Sequence, residues 1–455
     1  MEAEDQKKKK IVIIGGGIIG CTTAYFLTRH PRFDPAKHSV ILLEATSIAA
    51  GASGKAGGLL ALWAYPSCLV PLSYRLHKEL AEEHNGAERW GYRRLGCGTI
   101  GATVTTSDLD ARPQRAQPSS TPPKSNGNGE VENGALPIQS TLGTGEKGEI
   151  KEWEKLPKQD EAATSLLKNS TLPSDLNWID GNLVRYYEEM GQPGTTETSQ
   201  VHPFHFTTSI AELAREKGVD IRIGAKATKI NHSKTDVRNV EYENRATGET
   251  VMVDDVTDIV VAAGPWTGRV VPRTKVEGLR AHSVVFDADV TPYAVFTDIA
   301  LPSEYVPEHR AKKGQKRKHK GNVDPEVYAR PFGEVYACGE PDSSIPLPET
   351  ADLVQCDEDQ CDDLVAYMGT ISPALHNASI KAKQACYLPR HMRFGQERDP
   401  IIGPTSVRGL WVASGHTCWG IQNGPGTGCL MAEMILDGEA KSADIEGLDP
   451  RRYKV

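Results

Sequence analysis

The run Lys10-Ile11-Val12-Ile13-Ile14-Gly15-Gly16-Gly17-Ile18-Ile19-Gly20 limits the possible folds more than any other stretch of the chain. Its unbroken aliphatic residues predict a strand buried on both faces. Gly15, Gly17 and Gly20 fit the spacing G-x-G-x-x-G, and Cys21-Thr22-Thr23-Ala24-Tyr25-Phe26-Leu27 continues as a helix closed by His30-Pro31. A second apolar run, Ser39-Val40-Ile41-Leu42-Leu43, ends on Glu44. Strand, glycine turn, helix, strand and acid in this order make a dinucleotide-binding unit. The glycines, with Gly16 and the backbone of Ile18 and Ile19 between them, come close to a pyrophosphate. The helix N-terminus offers free N–H groups and the positive end of its dipole. Glu44 stands close to the roughly 20 residues further on expected of a ribose-binding acid.

The chain of 455 residues has room for two or three domains. Its apolar deficit is local: the middle is polar and both ends read as globular. A formal net charge of -8 argues against nucleic acid as a partner, since phosphate binding needs a basic surface. The basic residues Lys7 to Lys10 read as a solvated tail. No apolar stretch approaches the ~20 residues of a membrane span, the glycine turn arrives where a signal cleavage site would lie, and the ending Arg452-Tyr453-Lys454-Val455 is no peroxisomal address. Nine scattered cysteines with no repeated spacing read as reduced thiols of a cytosolic protein, with no metal site.

After Glu44 and Ala45 comes Ile48-Ala49-Ala50-Gly51-Ala52-Ser53-Gly54-Lys55-Ala56-Gly57-Gly58-Leu59-Leu60. Small residues suit a backbone that passes close to a large flat ligand, which makes Gly51, Ser53, Gly54, Lys55, Ala56, Gly57, Gly58 and Leu59 candidate contacts. Trp63, Tyr65 and Pro66 follow, then a helix around Leu72 to His84. From Ile11 to Leu95 the chain resembles the start of the D-amino-acid oxidase class of FAD-dependent oxidoreductases. Gly51 to Ala64 and Gly91-Tyr92-Arg93-Arg94-Leu95 are similar to a fungal subfamily named for a topoisomerase-I-damage phenotype and associated in yeast with late endosomes. Lys55 departs from the small or imidazole residue more usual in the wider class.

The resemblance implies an α/β fold, with FAD bound by a Rossmann-like domain of glutathione-reductase type and an antiparallel-sheet substrate domain. It also implies a cytoplasmic protein peripheral to late endosomes, acting on a small molecule. Further segments fit it. Gln200-Val201-His202-Pro203-Phe204-His205-Phe206 leads into a helix from Thr207 to Lys217, and Gly218 to Ile230 reads as paired short strands; position for position, Lys226 and Ala227 fall on the class's adenine contact. Asp258-Ile259-Val260-Val261-Ala262-Ala263-Gly264-Pro265-Trp266 resembles the strand and turn that return under the diphosphate, which nominates Ala262, Ala263, Gly264 and Trp266. Leu410 to Ser414 reads as a strand, Gly415 to Gly424 as a loop and Gly426 to Leu436 as a helix, the class's C-terminal flavin motif. Gly415, His416, Trp419, Gly420, Ile421 and Gln422 are its candidate contacts.

The division read from the sequence is a basic tail, 1–9; three parts of the FAD-binding domain, 10–105, 171–275 and 378–455; a disordered insertion, 106–170, with Trp153 and Trp178 marking its far edge; and a cap domain, 276–377, with a Lys-rich loop at 309–321.

Amine oxidation by flavin needs little acid or base, so few catalytic side chains are visible. Lys55 would place a cation near flavin N5. His416 and Trp419 fall in the loop beside the ring, where Trp419 either walls the substrate cavity or belongs to the core. In the amino-acid oxidases of the class an arginine that clamps the substrate carboxylate precedes a proline matching Pro389; here that position is Leu388. Either Arg280, Arg330 or Arg390 takes over, or the substrate is not a simple amino acid, the reading favoured here. Cys386, one residue out of register for a cysteine-linked flavin, reads as an inert buried thiol. Two functions stand at this stage: an FAD enzyme oxidising the C–N bond of an amine, and a flavoprotein whose FAD is structural and whose role is endosomal trafficking or scaffolding.

Overall fold

A computed structural model describes residues 8–112, 172–191, 197–318 and 320–455. Most of the basic tail and, beyond Arg112, the insertion with Trp153 lie outside the described residues. The insertion's expected first residues are ordered: Thr106–Asp110 is a helix with a Thr105/Asp108 capping box.

The opening run forms the strand Lys9–Ile14, inside a six-stranded sheet. The sheet order is Ile401–Pro404, Leu410–Ser414, Asp258–Val261, Lys9–Ile14, His38–Glu44 and Asp220–Ile223. All neighbours are parallel except the edge strand Ile401–Pro404. Ile11 and Ile13 enter the core on one face, and Val12 and Ile14 that on the other. This is why the run carries no polar alternation.

The helices Ile18–Arg29, Val70–Glu83, Pro203–Glu216 and Gly420–Leu436 cover the first face. Ile18–Arg29 and Gly420–Leu436 pack closely through small residues. The Thr22 hydroxyl donates to Gly424 O at 2.8 Å, and a Cβ on Gly428 would lie 2.5 Å from the Thr22 carbonyl carbon. A three-stranded antiparallel sheet, Ala225–His232, Val237–Asn244 and Glu249–Val253, covers the second face. The paired strands read over Gly218 to Ile230 are therefore not partners. Asp220–Ile223 closes the parallel sheet, and Ala225–His232 starts the small one.

An eight-stranded sheet forms the second layer, in the order Gln396–Arg398, Ser379–Arg393, Val276–Asp287, Glu334–Cys338, Glu326–Arg330, Tyr293–Ala300, Gly96–Thr103 and Val184–Glu189. It is antiparallel save for one parallel pair, Tyr293–Ala300 with Gly96–Thr103. Four of its strands, Gly96–Thr103, Val184–Glu189, Ser379–Arg393 and Gln396–Arg398, come from outside 276–377. Period-two alternation sorts its faces: Val284, Phe286, Val295, Val327, Val335 and Ala337 share a core with the helix Glu358–Ile371. Val285, Ala294, Tyr328 and Tyr336 face the other way. Among the described residues no helix is long and apolar enough to cross a membrane.

Candidate active site

The two layers enclose a cavity of about 720 Å³. At one end it is walled by the glycine turn. Gly15 has φ +115, a conformation that L side chains rarely adopt, and a Cβ there would lie 2.4 Å from Ala262 O. Gly20 lies behind the wall and serves packing, since its Cβ would meet Gly15 O at 2.0 Å. Glu44 closes its strand with both carboxylate oxygens anchored. Oε2 accepts the Gly16 N–H at 2.8 Å; Oε1 accepts the Thr46 N–H at 2.7 Å and the Thr46 hydroxyl at 2.9 Å. A carboxylate has about four acceptor positions, so one remains on Oε2 for a ribose hydroxyl. Ser53 Oγ accepts the Ile18 N–H at 2.9 Å, so the helix N-terminus reaches a ligand here through the serine hydroxyl.

The sequence-nominated segments meet in this cavity. Its wall takes Gly15, Gly17, Ile18, Ile19, Glu44, Ala45, Gly51, Ser53 and Lys55 to Leu59. Lys226, Ala227, Ala262, Ala263, Gly264, Trp266, His416, Trp419, Gly420 and Ile421 complete it. Gly16, Gly20, Gly54, Gly415 and Gln422 are not in the wall. Gly54 packs on Ala49 O, which a Cβ would meet at 2.2 Å; Gly415 has φ +88 and packs on His391; Gln422 is buried, its Oε1 accepting the Ala61 N–H at 2.8 Å. A narrow glycine turn, an acid with a spare acceptor and walls of small apolar residues fit FAD.

Of the catalytic candidates, Lys55 donates from Nζ to Ala385 O at 2.9 Å and keeps two further N–H donors. Burial pushes the nearby Cys386 thiol up to about 11, with Lys55 pulling the other way, so the thiol stays protonated. His416 lines the cavity as an uncharged imidazole. Its Nε2 lies 3.0 Å from Thr427 Oγ1, and burial lowers its pKa to about 3, so it holds no charge near neutral pH. Trp419 lines the cavity edge-on to Trp63, ring centroids 5.6 Å apart.

None of the three arginines nominated from the sequence takes the place of the carboxylate clamp. Leu388 is in the wall. Arg280 is held by Asp342 at 3.0 and 3.1 Å, Arg330 lies 2.8 Å from Glu334, and Arg390 lies 2.9 Å from Glu277; none of them lines the cavity.

Sequence reasoning expected an antiparallel substrate-domain sheet but named none of the side chains the sheet gives to the cavity. Phe296, Glu326 and Cys338 are cross-strand neighbours, and Tyr328 and Tyr336 are paired two residues along the same strands; all five line the cavity. The available signal was period-two spacing, with Glu326, Tyr328 and Arg330 on one face and Val327 and Ala329 on the other. An acid at the head of a buried strand was the residue to follow.

The parallel sheet with its glycine turn and ribose acid, roofed by a second sheet across one cavity, defines the architecture of a dinucleotide-dependent flavoprotein. Residues 10–434 match the family DAO, FAD dependent oxidoreductase, and the chain belongs to that family. TDA3 of Saccharomyces cerevisiae, whose name proposes an oxidoreductase, is 34% identical over 96% of this chain and 94% of its own. A Schizosaccharomyces pombe protein whose name proposes the same is 30% identical over 96% of each chain. Among solved structures, L-proline dehydrogenase from P. horikoshii superposes with a TM-score of 0.60 at 16% identity over 98% of both chains, a likeness of fold. The protein is thus an FAD-dependent oxidoreductase.

Proposed function

We propose that the protein oxidises the C–N bond of an amine that carries no amino-acid carboxylate. Bound FAD supplies a two-electron acceptor, for which the C–H beside a neutral amine nitrogen is the hydride donor. In this reading the turn from Gly15 to Ile18 and the Ser53 hydroxyl hold the diphosphate, and Glu44 holds a ribose hydroxyl. The backbone at Lys226 and Ala227 flanks the adenine. The loops from Gly51 to Leu59 and from His416 to Ile421 flank the ring. Lys55 contributes positive charge beside it, which favours negative charge developing there. The sheet over the cavity excludes water and positions the substrate.

The observation that carries the reading is the apolar Leu388 in the wall, with Arg280, Arg330 and Arg390 each committed to a carboxylate elsewhere. The arginine that does line the wall, Arg269, donates to the Pro348 and Leu347 carbonyls, so none of these guanidinium groups is left to clamp a substrate carboxylate in two-pronged fashion.

The test is anaerobic mixing of the yellow holoprotein with a panel of primary, secondary and tertiary amines, followed by flavin absorbance. Bleaching by amines supports the reading. A yellow protein that no amine bleaches would overturn it in favour of a structural FAD.

A further inference from the structure

Among the described residues, Glu326 is the one charged side chain that the eight-stranded sheet gives to the cavity wall. Its known donors, the Tyr328 hydroxyl and the Cys338 thiol at 3.9 Å, both go to Oε2. Oε1 receives no hydrogen bond and neither oxygen has a cation partner among the described residues. A recessed carboxylate with no counter-charge is costly to keep unless something cationic comes to it.

The surroundings are aromatic. Trp419 packs on Trp63 with centroids 5.6 Å apart, Trp63 on Phe296 at 6.2 Å, Phe296 on Tyr328 at 6.0 Å and Tyr328 on Tyr336 at 5.9 Å, a continuous arc of rings. Glu326 stands inside this arc, opposite Phe296 in the strand register and two residues from Tyr328. Ring faces attract cations, most strongly where water is excluded, and a carboxylate adds a charge-assisted hydrogen bond to an N–H donor.

Resting on the amine reading above, we propose that the chamber is a recognition box for an amine that arrives as a monocation without a carboxylate and passes its ammonium proton to the Glu326 carboxylate to reach the neutral form that yields hydride. The Glu326 carboxylate is its counter-charge, and Trp63, Phe296, Tyr328, Tyr336 and Trp419 are its walls. As the one acid the sheet contributes among the described residues, Glu326 balances one positive charge on the substrate. Leu388 and the rings take its apolar substituents, and Glu326 repels an anionic group.

Calorimetric binding to the holoprotein tests this with three probes of similar size: choline, its uncharged isostere 3,3-dimethylbutan-1-ol, and glycine betaine, which adds a carboxylate. Wild-type protein is expected to bind choline at least tenfold more tightly than either of the others. Glu326→Gln is expected to remove that preference while keeping the alcohol's affinity. Equal binding of the three, no binding of any, or a preference that survives in Glu326→Gln would overturn the proposal. Should Glu326→Gln fail to fold, the three wild-type affinities decide alone. Choline needs no oxidation to bind. Selective choline binding in a protein that no amine bleaches would sink the oxidation reading and leave the box standing. Bleaching by amines without charge selectivity would do the reverse.

Discussion

Glu326 and Glu334 occupy neighbouring strands of one sheet and are pushed in opposite directions. Burial raises the Glu326 carboxyl above its ordinary value of 4.5, against the Tyr328 and Cys338 hydrogen bonds, with Asp324 adding to the rise. The other titratable groups facing it are the Cys97 and Cys418 thiols, both raised by burial and neutral near pH 7. A cation needs the ionised form, so choline affinity is expected to fall on acidification, with its midpoint above 4.5. That midpoint should vanish in Glu326→Gln; affinity flat across the acid range would contradict the assignment.

Burial acts the same way on Glu334. There, however, the His202 hydrogen bond, the charge of Arg330 and the Lys381 hydrogen bond outweigh it and bring the carboxyl from 4.5 down to about 2. The depressed value means that its stabilisation is fully present above about 4.5 and is lost as pH falls toward 2. The shift corresponds to an upper bound of about 3 kcal/mol. Melting temperature against pH should therefore fall more steeply through this window in wild type than in Glu334→Gln, whose neutral-pH stability starts lower. Parallel profiles would contradict this. The cluster joins the layers: His202 caps the helix Pro203–Glu216, and Arg330 and Glu334 belong to the second sheet.

At the scale of elements, the helix Gly420–Leu436 holds Pro425 in its interior. Proline has no N–H, so the Ile421 carbonyl loses its helical donor four residues on. His77, on the helix Val70–Glu83, replaces it: Nε2 lies 2.9 Å from Ile421 O, and burial lowers the imidazole to about 4, which keeps it neutral. The substitution His77→Phe is expected to cost about 1–3 kcal/mol in urea unfolding by leaving that carbonyl unpaired. In a Pro425→Ala background, where an N–H returns, the loss should shrink. An equal loss in both backgrounds would sever the link. Gly15→Ala combines a positive φ of +115 with a 2.4 Å approach to Ala262 O. The φ alone costs about 1–3 kcal/mol. The variant is expected to purify with a lower ratio of flavin to protein absorbance than wild type; full flavin content would show that the turn tolerates a side chain.

On the scale of the whole molecule, the cradle was legible because each of its segments announces itself locally. The glycine turn, the acid at Glu44, the small residues from Gly51 to Leu59 and the strand ending at Val261 are each short patterns with a backbone reason. Their convergence follows from a parallel sheet, whose neighbours lie far apart in sequence. The roof was less legible. Phe296, Glu326 and Cys338 become neighbours only through register across separate strands, and no local pattern encodes that register. Sequence places the His416 imidazole in the right loop but does not show that burial keeps it uncharged.

The central claim is that this cavity oxidises an amine and has no place for a carboxylate. The most direct measurement is anaerobic flavin reduction by matched pairs, such as N-methylbenzylamine and N-methylphenylglycine, that differ only in that group. The account predicts that the amines bleach the flavin at least tenfold faster than their carboxylate partners. Faster or equal bleaching by the amino acids would contradict it.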